Sequence, residues 1–277
     1  MPLSLKPVQA SRGPRWVGAA FRLYASRPLG FTALFAIFLF AALVVAQVPL
    51  LGGLVQMMSL PLLSLGFMVA GQSALQGGTV HPRQFIEPLR TDAPRRRALL
   101  ILCVIYGVSA LLILLLADAV SNSAWDRLQR LIAKGEGAQP EIDALLAEPG
   151  VAVAVLLALV LGSLLSMPFW HAPALVHWGG QGVQQALFSS TLALWRTKGA
   201  FFNYMLAWAG VLLVFGLITT LLFALLGAPQ MAGLIGVPAG LIFSTVFYLS
   251  VLFTFNDTFG PAPSADAAPG LAGPPPP

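Results

Sequence analysis

The stretch RRRALLILCVIYGVSALLILLLAD, residues 95–118, decides the fold. Arg95, Arg96 and Arg97 precede a run over 98–117 that holds no charged side chain, and the run stops at Asp118. At 1.5 Å of rise per residue, a helix of about 20 apolar residues crosses the hydrocarbon layer of a bilayer. Runs of similar character lie at 30–48, 53–71, 151–175, 202–226 and 231–255. The fold class that follows is all-α: a polytopic membrane protein with six transmembrane helices.

The cations between these runs fix the expected orientation. Lys6, Arg12, Arg15, Arg22 and Arg27 precede the first run. Arg83, Arg90, Arg95, Arg96 and Arg97 separate the second from the third, and Arg196 and Lys198 the fourth from the fifth. Twelve of the fifteen Lys and Arg residues therefore fall on one side, which the positive-inside rule makes cytoplasmic. Arg127, Arg130 and Lys134 lie opposite, among Asp118, Asp126, Glu136, Glu141, Asp143 and Glu148. Both termini are expected in the cytoplasm, and the bacterial inner membrane is the expected location. Topology accounts for the net charge of +5, so no nucleic-acid partner is expected.

Composition supports the same class. Hydrophobic residues make up 57% of the chain and charged ones 9%, against roughly a quarter charged in soluble domains. So little polar surface cannot clothe a water-soluble globule, and the bilayer must solvate much of the exterior. The single cysteine, Cys103, lies inside the third run, which leaves no internal disulfide and no thiolate metal cluster. Val44, Val45 and Ala46 offer small residues for signal cleavage, but the basic region before the first run and the run itself are both too long. A retained signal-anchor helix is expected.

The chain divides into an N-terminal arm and interfacial helix (1–28), a six-helix membrane domain (29–259) with an outer loop at 118–150, and a Pro-rich tail (260–277) expected to be disordered. Over 12–26 a helical period gathers Trp16, Val17, Ala20, Phe21 and Tyr24 on one face and Arg12, Arg15, Arg22 and Ser26 on the other, as suits a helix in the headgroup layer. Pro49, Gly52 and Gly53 predict a tight outer turn, and Pro61 predicts a kink in the second span. A short helix from Pro82 to Leu89 would direct Phe85, Ile86 and Leu89 into the membrane surface. In the outer loop, Trp125, Leu128, Leu131 and Ile132 mark one amphipathic helix, broken at Gly135 and Gly137. Ile142, Leu145 and Leu146 mark a second, starting at Pro140. About thirty residues cannot bury a core alone, so this loop must rest on the outer helix ends or the membrane. Residues 181–198 read as a second interfacial helix, with Leu187, Thr191, Leu194 and Trp195 on one side. Each interfacial helix leads through a cation and a breaker into a hairpin, which suggests a degenerate internal duplication.

Small residues at four-residue steps mark expected helix contacts: Ala232, Gly236, Gly240 and Ser244 in span six, Ala158, Gly162 and Ser166 in span four, and Gly66 with Ala70 in span two. These contacts would be internal or with another subunit, which makes a homo-oligomer an open expectation. The cytoplasmic arginines set topology and can attract anionic lipid headgroups.

Chemical equipment is sparse. No Asp, Glu, Lys or Arg sits mid-span, where pumps and ion-coupled transporters carry such groups. Asp118 and Asp257 lie at span ends within reach of water. Gln47, Gln56, Gln72 and Asn203 are the remaining polar candidates. His171 and His177, six apart and flanked by Trp170 and Trp178, fall roughly 120° from each other on a helix. That separation and the absence of an accompanying acid favour interfacial anchors over a zinc site. No nucleophile has a base beside it. No catalytic, metal or cofactor-binding residue is therefore assigned, no cofactor is expected, and the chain is not expected to be an enzyme.

Arg15-Trp16-Val17 through Phe21-Arg22-Leu23-Tyr24 with Arg27-Pro28, the run Pro61 to Met68 with Gly77, and Ala172 to Val176 with Ala186 to Ser190 together resemble a family of uncharacterised bacterial multi-pass integral membrane proteins. That family is similar in layout to the membrane domain of bacterial glycerophosphodiester phosphodiesterases. The resemblance spans most of 12–205, implies the six-span fold and carries no activity. The Gln-rich segment 181–185 departs from its pattern. The functional expectation is a non-enzymatic component that organises lipids or a partner, with a transporter or channel for a neutral or lipid-like solute as the alternative. A water-filled cavity between spans two, four and six would favour transport, and tight packing there would favour the scaffold.

Overall fold

The computed structural model describes residues 3–49, 51–134, 139–227 and 232–261. Eleven α-helices occur among them: α1 (Arg12–Ser26), α2 (Pro28–Ala46), α3 (Gly52–Leu75), α4 (Ala93–Val120), α5 (Ala124–Lys134), α6 (Gln139–Leu146), α7 (Pro149–Phe169), α8 (Ala172–His177), α9 (Val183–Arg196), α10 (Lys198–Leu225) and α11 (Ala232–Thr258). Six candidate spans are long and apolar enough to cross a membrane: α2, α3, α4, α7 continued by α8, α10 and α11. The chain is an all-α, six-span membrane protein. Both ends of the described chain lie on one face, because β1 (Leu3–Leu5) pairs antiparallel with β2 (Phe259–Pro261).

Contacts at the helix ends confirm the alternation. Val80 lies against Gly30 and Arg95 against Gly180 at the β1–β2 end, whereas Ser121 lies against Gly150 at the other. The first end is the basic one. There Asp92 caps α4 by accepting a 3.0 Å bond from the Arg95 amide, with Pro94 in the first turn. That is the usual solution for orphan amides at a helix start. At the acidic end α5 and α6 close over the start of α7, burying Ala124, Leu128, Leu145 and Val151 in a small cluster. The outer loop therefore does rest on the outer helix ends. The glycines expected to separate its two helices, Gly135 and Gly137, lie outside the described residues, as does the tail beyond 261.

The helix over 12–26 forms as expected, but its apolar face meets protein rather than lipid. Trp16, Val17, Ala20 and Leu23 are buried against Phe201, Tyr204 and Trp208 of α10 and Val246 and Leu249 of α11. Spans α10 and α11 meet through side chains, as in Tyr204 with Ser250 and Phe215 with Phe243, and α1 packs against both at the basic end. Gly13 makes this possible, since a Cβ there would collide with the backbone of Ala200 and Tyr204.

Other local expectations change. Two 3₁₀ turns, Pro82–Phe85 and Glu87–Arg90, replace the single short helix. Phe85 packs inward against Phe38 and Phe67, filling the notch left by Gly66, while Ile86 stays exposed. The ring finds more apolar contact in the notch than at a wet membrane surface. Helix α3 continues past Pro61. The face of α9 turned to the protein consists of Ala186, Ser190, Ala193 and Leu194, because small side chains permit close approach. Trp195 is 68% exposed. Two of the stepped residues of α11 have no neighbour pressed against them: a Cβ on Gly236 or Gly240 would meet open space, and the same holds for Gly162 of α7. Close helix approach inside this chain instead uses single glycines, such as Gly107 of α4 against Met58 of α3.

These placements predict opposite outcomes for two glycine substitutions. Gly13→Ala should destabilise the protein by about 1–3 kcal/mol through backbone overpacking, lowering the thermal midpoint of the detergent-solubilised chain. Gly236→Ala should leave that midpoint unchanged.

Candidate functional site

The fourth span breaks at Trp170 and His171, between α7 and α8. Pro168 sits inside α7 and Pro173 in the first turn of α8, and proline both lacks a donor and crowds the preceding turn. Ser190 of α9 occupies the gap. Its Oγ accepts from the His171 amide at 3.0 Å and donates to the Met167 carbonyl at 2.9 Å. Those two groups would be bonded to each other in an unbroken helix. The serine therefore restores, by one inserted hydroxyl, a backbone pair that the break removes. Its residue exposure of 0% leaves no solvent alternative.

Below the break, Thr254 of α11 collects three hydrogen bonds on one hydroxyl. Thr254 Oγ1 donates to the Val251 carbonyl at 2.7 Å. With its only proton so used, it accepts from Trp170 Nε1 at 3.2 Å and from His171 Nε2 at 3.1 Å, which assigns the Nε2–H tautomer to His171. The imidazole is fully buried, with Phe201, Phe255 and Phe259 around it at ring separations of 5.4–6.0 Å. His177 sits elsewhere, against Trp178 at 5.6 Å, and its carbonyl accepts from Arg95 at 3.3 Å. The two histidines thus have separate surroundings. His171 is an interior packing residue rather than an interfacial anchor.

Trp170 also forms the floor of a hollow of about 200 Å³ between α3, α4, α7 and α11. Pro61 and Ser64 of α3, Tyr106 of α4, Ser166 of α7 and Tyr248 of α11 contribute to its walls. Leu60, Phe169, Phe247 and Val251 complete the lining. A second hollow of about 400 Å³ opens between α10 and α11, lined by Trp208, Leu212, Gly240, Phe243 and Ser244 together with the same Phe247 and Tyr248. Those two rings form a wall between the hollows. Tyr248 is held there by stacking on Phe67 at 5.6 Å, and Phe247 by Trp170 at 5.9 Å. The wall continues into Tyr204, whose hydroxyl meets Ser250 Oγ at 2.6 Å. Every lining side chain is apolar or a neutral hydroxyl, apart from the indoles.

At the basic end Asp257, still partly exposed as its place at a span end implies, is the anchor of α1. Arg12 Nε and Nη2 donate to its two oxygens at 2.7 and 2.8 Å, and Trp16 Nε1 donates at 2.6 Å. The bonds from Asp257 and then its charge raise the Arg12 guanidinium above its usual value, outweighing the small opposing effect of burial. Asn203 ties the arm down as well, donating to the Ala10 carbonyl at 3.0 Å. Gln47, just past the end of α2, donates from Nε2 to the Leu43 carbonyl.

The sequence singles out Trp170, Ser166 and Pro61 but not their convergence, and it marks Ser190 only as a hydroxyl with no base beside it. Thr254 and Tyr248 carry no such mark. A signal for a partner such as Ser190 existed, since two prolines five apart in a span free backbone groups that a Ser or Thr hydroxyl from a neighbouring helix can satisfy. Nothing local pointed to Thr254 or to the distant partner of Asp257.

No family model matches the chain, and no solved structure matches it. A probable inner membrane protein of Burkholderia thailandensis is 31% identical over 260 residues, covering 93% of this chain and 94% of that protein. Identity of this extent over nearly the whole of both chains shows that the protein belongs to the same family.

Two substitutions test the repaired break. Ser190→Ala should cost about 1–3 kcal/mol by leaving the His171 amide and Met167 carbonyl unpaired, and Thr254→Val should act similarly through Trp170 and His171. Thermal unfolding in detergent reads both, with Thr191→Ala, on the exposed side of α9, as the neutral control.

Proposed function

We propose that this member of the inner-membrane family is a non-enzymatic component that holds and organises lipid within the cytoplasmic membrane of a bacterium, with both termini in the cytoplasm. The carrying observation is the chemistry of the two hollows beside Phe247 and Tyr248. Their walls are apolar and hydroxyl-bearing, a lining that receives an acyl chain without desolvating any charge. The volume of the hollow floored by Trp170, about 200 Å³, is below the roughly 300–1,000 Å³ of typical small-molecule sites. That size and its apolar lining argue against a water-filled conduit. The inner-membrane placement draws on the Burkholderia relative, and the orientation draws on the cation distribution. The likeness in layout to the membrane domains of glycerophosphodiester phosphodiesterases remains an expectation from sequence and transfers no activity.

Transport of a neutral or lipid-like solute is the second reading. Pro61 lines the hollow, and the break at Trp170 and His171 forms its floor, so two points of helix irregularity adjoin it. Helix irregularities of that kind surround substrate sites in transporters.

A phospholipid with a photoreactive acyl chain should label the α3 and α11 walls around Tyr248. Ser166→Phe, which fills the hollow, should abolish most of that labelling, and unchanged labelling would count against the reading. Movement of a fluorescent lipid analogue between leaflets of proteoliposomes, suppressed by Ser166→Phe, would favour transport instead. For orientation, a reporter active only in the periplasm should work when inserted near Gly137 and stay silent at Gly78.

A further inference from the structure

We propose that the outer face of α4 at the basic end is a docking site for one anionic phospholipid, with Arg96 and Arg97 holding the headgroup phosphate. The site is separate from the two hollows and does not depend on what they hold. An open apolar strip of α4 itself runs down this face from Arg96 and Arg97 past Leu100, Ile101, Val104 and Ile105. A second open hollow of about 440 Å³ shares Arg97 and Ile101 and is bounded by Ala98 of α4 and Val183 of α9. Two apolar surfaces thus meet beneath one arginine, as the two chains and single headgroup of a diacyl lipid require.

Charge selects the occupant. Arg95 is already engaged, lying 3.5 Å from Asp92 and donating to the His177 carbonyl at 3.3 Å. Asp92 in turn caps the helix. Arg96 and Arg97 are exposed, and among the described residues their side chains make no hydrogen bond or ion pair. The local excess of positive charge is therefore theirs. A second copy of the chain would bring the same arginines against each other.

Length agrees as well. From Arg97 to Val108 the helix rises roughly 16 Å at 1.5 Å per residue, close to half of the roughly 30 Å hydrocarbon thickness. Leu100, Val104 and Val108 are exposed along that distance. An acyl chain lying beneath a headgroup at Arg97 would reach the bilayer centre while still on this face.

The experiment titrates fluorescent phosphatidylglycerol into the full-length chain in neutral detergent, with phosphatidylcholine as the uncharged comparison. Phosphatidylglycerol should bind more tightly, and the preference should shrink as salt rises. Arg96→Gln with Arg97→Gln should weaken it about thirtyfold, and Arg97→Gln alone about fivefold. Arg15→Gln with Arg22→Gln, on the exposed face of α1, should change little. Should the double variant fail to fold, Leu100→Trp with Val104→Trp covers the strip and keeps both arginines. That variant should also lose the preference. Inorganic phosphate at millimolar concentration should not compete, because the apolar surfaces supply much of the binding. Equal affinity for the two lipids would overturn the proposal. So would full competition by phosphate, an unaffected arginine double variant, or photoreactive phosphatidylglycerol labelling other helices but not α4.

Discussion

Hydrocarbon offers no hydrogen-bond partner, so each backbone amide and carbonyl inside the bilayer must be satisfied by the protein itself. This constraint governs the fourth span more than any other part of the molecule. Pro168 and Pro173 interrupt its ladder, and the Ser190 hydroxyl stands between the Met167 carbonyl and the His171 amide. The consequence reaches outward. Ser190 can do this only if α9 lies close to α7 and α8, and Ala186 and Ala193 on either side of it allow that approach. The short helix is thus placed by the needs of a break it does not contain.

The same break positions Trp170, and Trp170 links the two sides of the molecule. Its ring meets Phe201 and Tyr204 of α10 edge-on and Phe247 of α11. Trp16 of α1 meets Phe201 and Tyr204 from the other direction. Aromatic pairs of this kind contribute about 0.5–1.5 kcal/mol each beyond their buried area. In a membrane the hydrophobic effect does not draw helices together, so such pairs count for more. Spans α10 and α11 meet through long side chains, Trp208 against Phe247 and Phe215 against Phe243, with Tyr204 bonded to Ser250. Helix α1 adds a further link at the basic end, seated through Gly13 on one and through the Arg12–Asp257–Trp16 bonds on the other.

Hydropathy and length made the six spans, the outer-loop helices and the amphipathic helix over 12–26 legible, because each depends on a local pattern and on the bilayer as a uniform solvent. Partners were not legible. Asp257 reads as an end-of-span carboxylate, and its partner Arg12 lies 245 residues away. Phe85 reads as a surface aromatic, since the notch at Gly66 exists only once α3 and the 3₁₀ turn meet. The α11 stripe left contacts within the chain and with another subunit equally open, because spacing shows that close approach is possible, not which neighbour is there; within this chain Gly236 and Gly240 meet none. Of the candidate site, Pro61, Ser166 and Trp170 were individually conspicuous. Their convergence with Tyr248 depends on how four helices cross.

A division of labour by depth follows from these placements. In the interior, charge is absent from the lining of the two hollows, and the Thr254 hydroxyl satisfies both the Trp170 indole and His171 Nε2. At the basic end, charge is plentiful but unequally used. Arg12 fastens α1, Arg27 donates to the Gly77 and Gly78 carbonyls beyond the end of α3, and Arg95 reaches His177. Those arginines are structural, and they leave Arg96 and Arg97 above an apolar face. Topology alone would be served by cations anywhere on that side. Arg27 and Arg95 instead close particular backbone gaps and Arg12 holds a carboxylate, so part of the positive charge on this end also builds its structure.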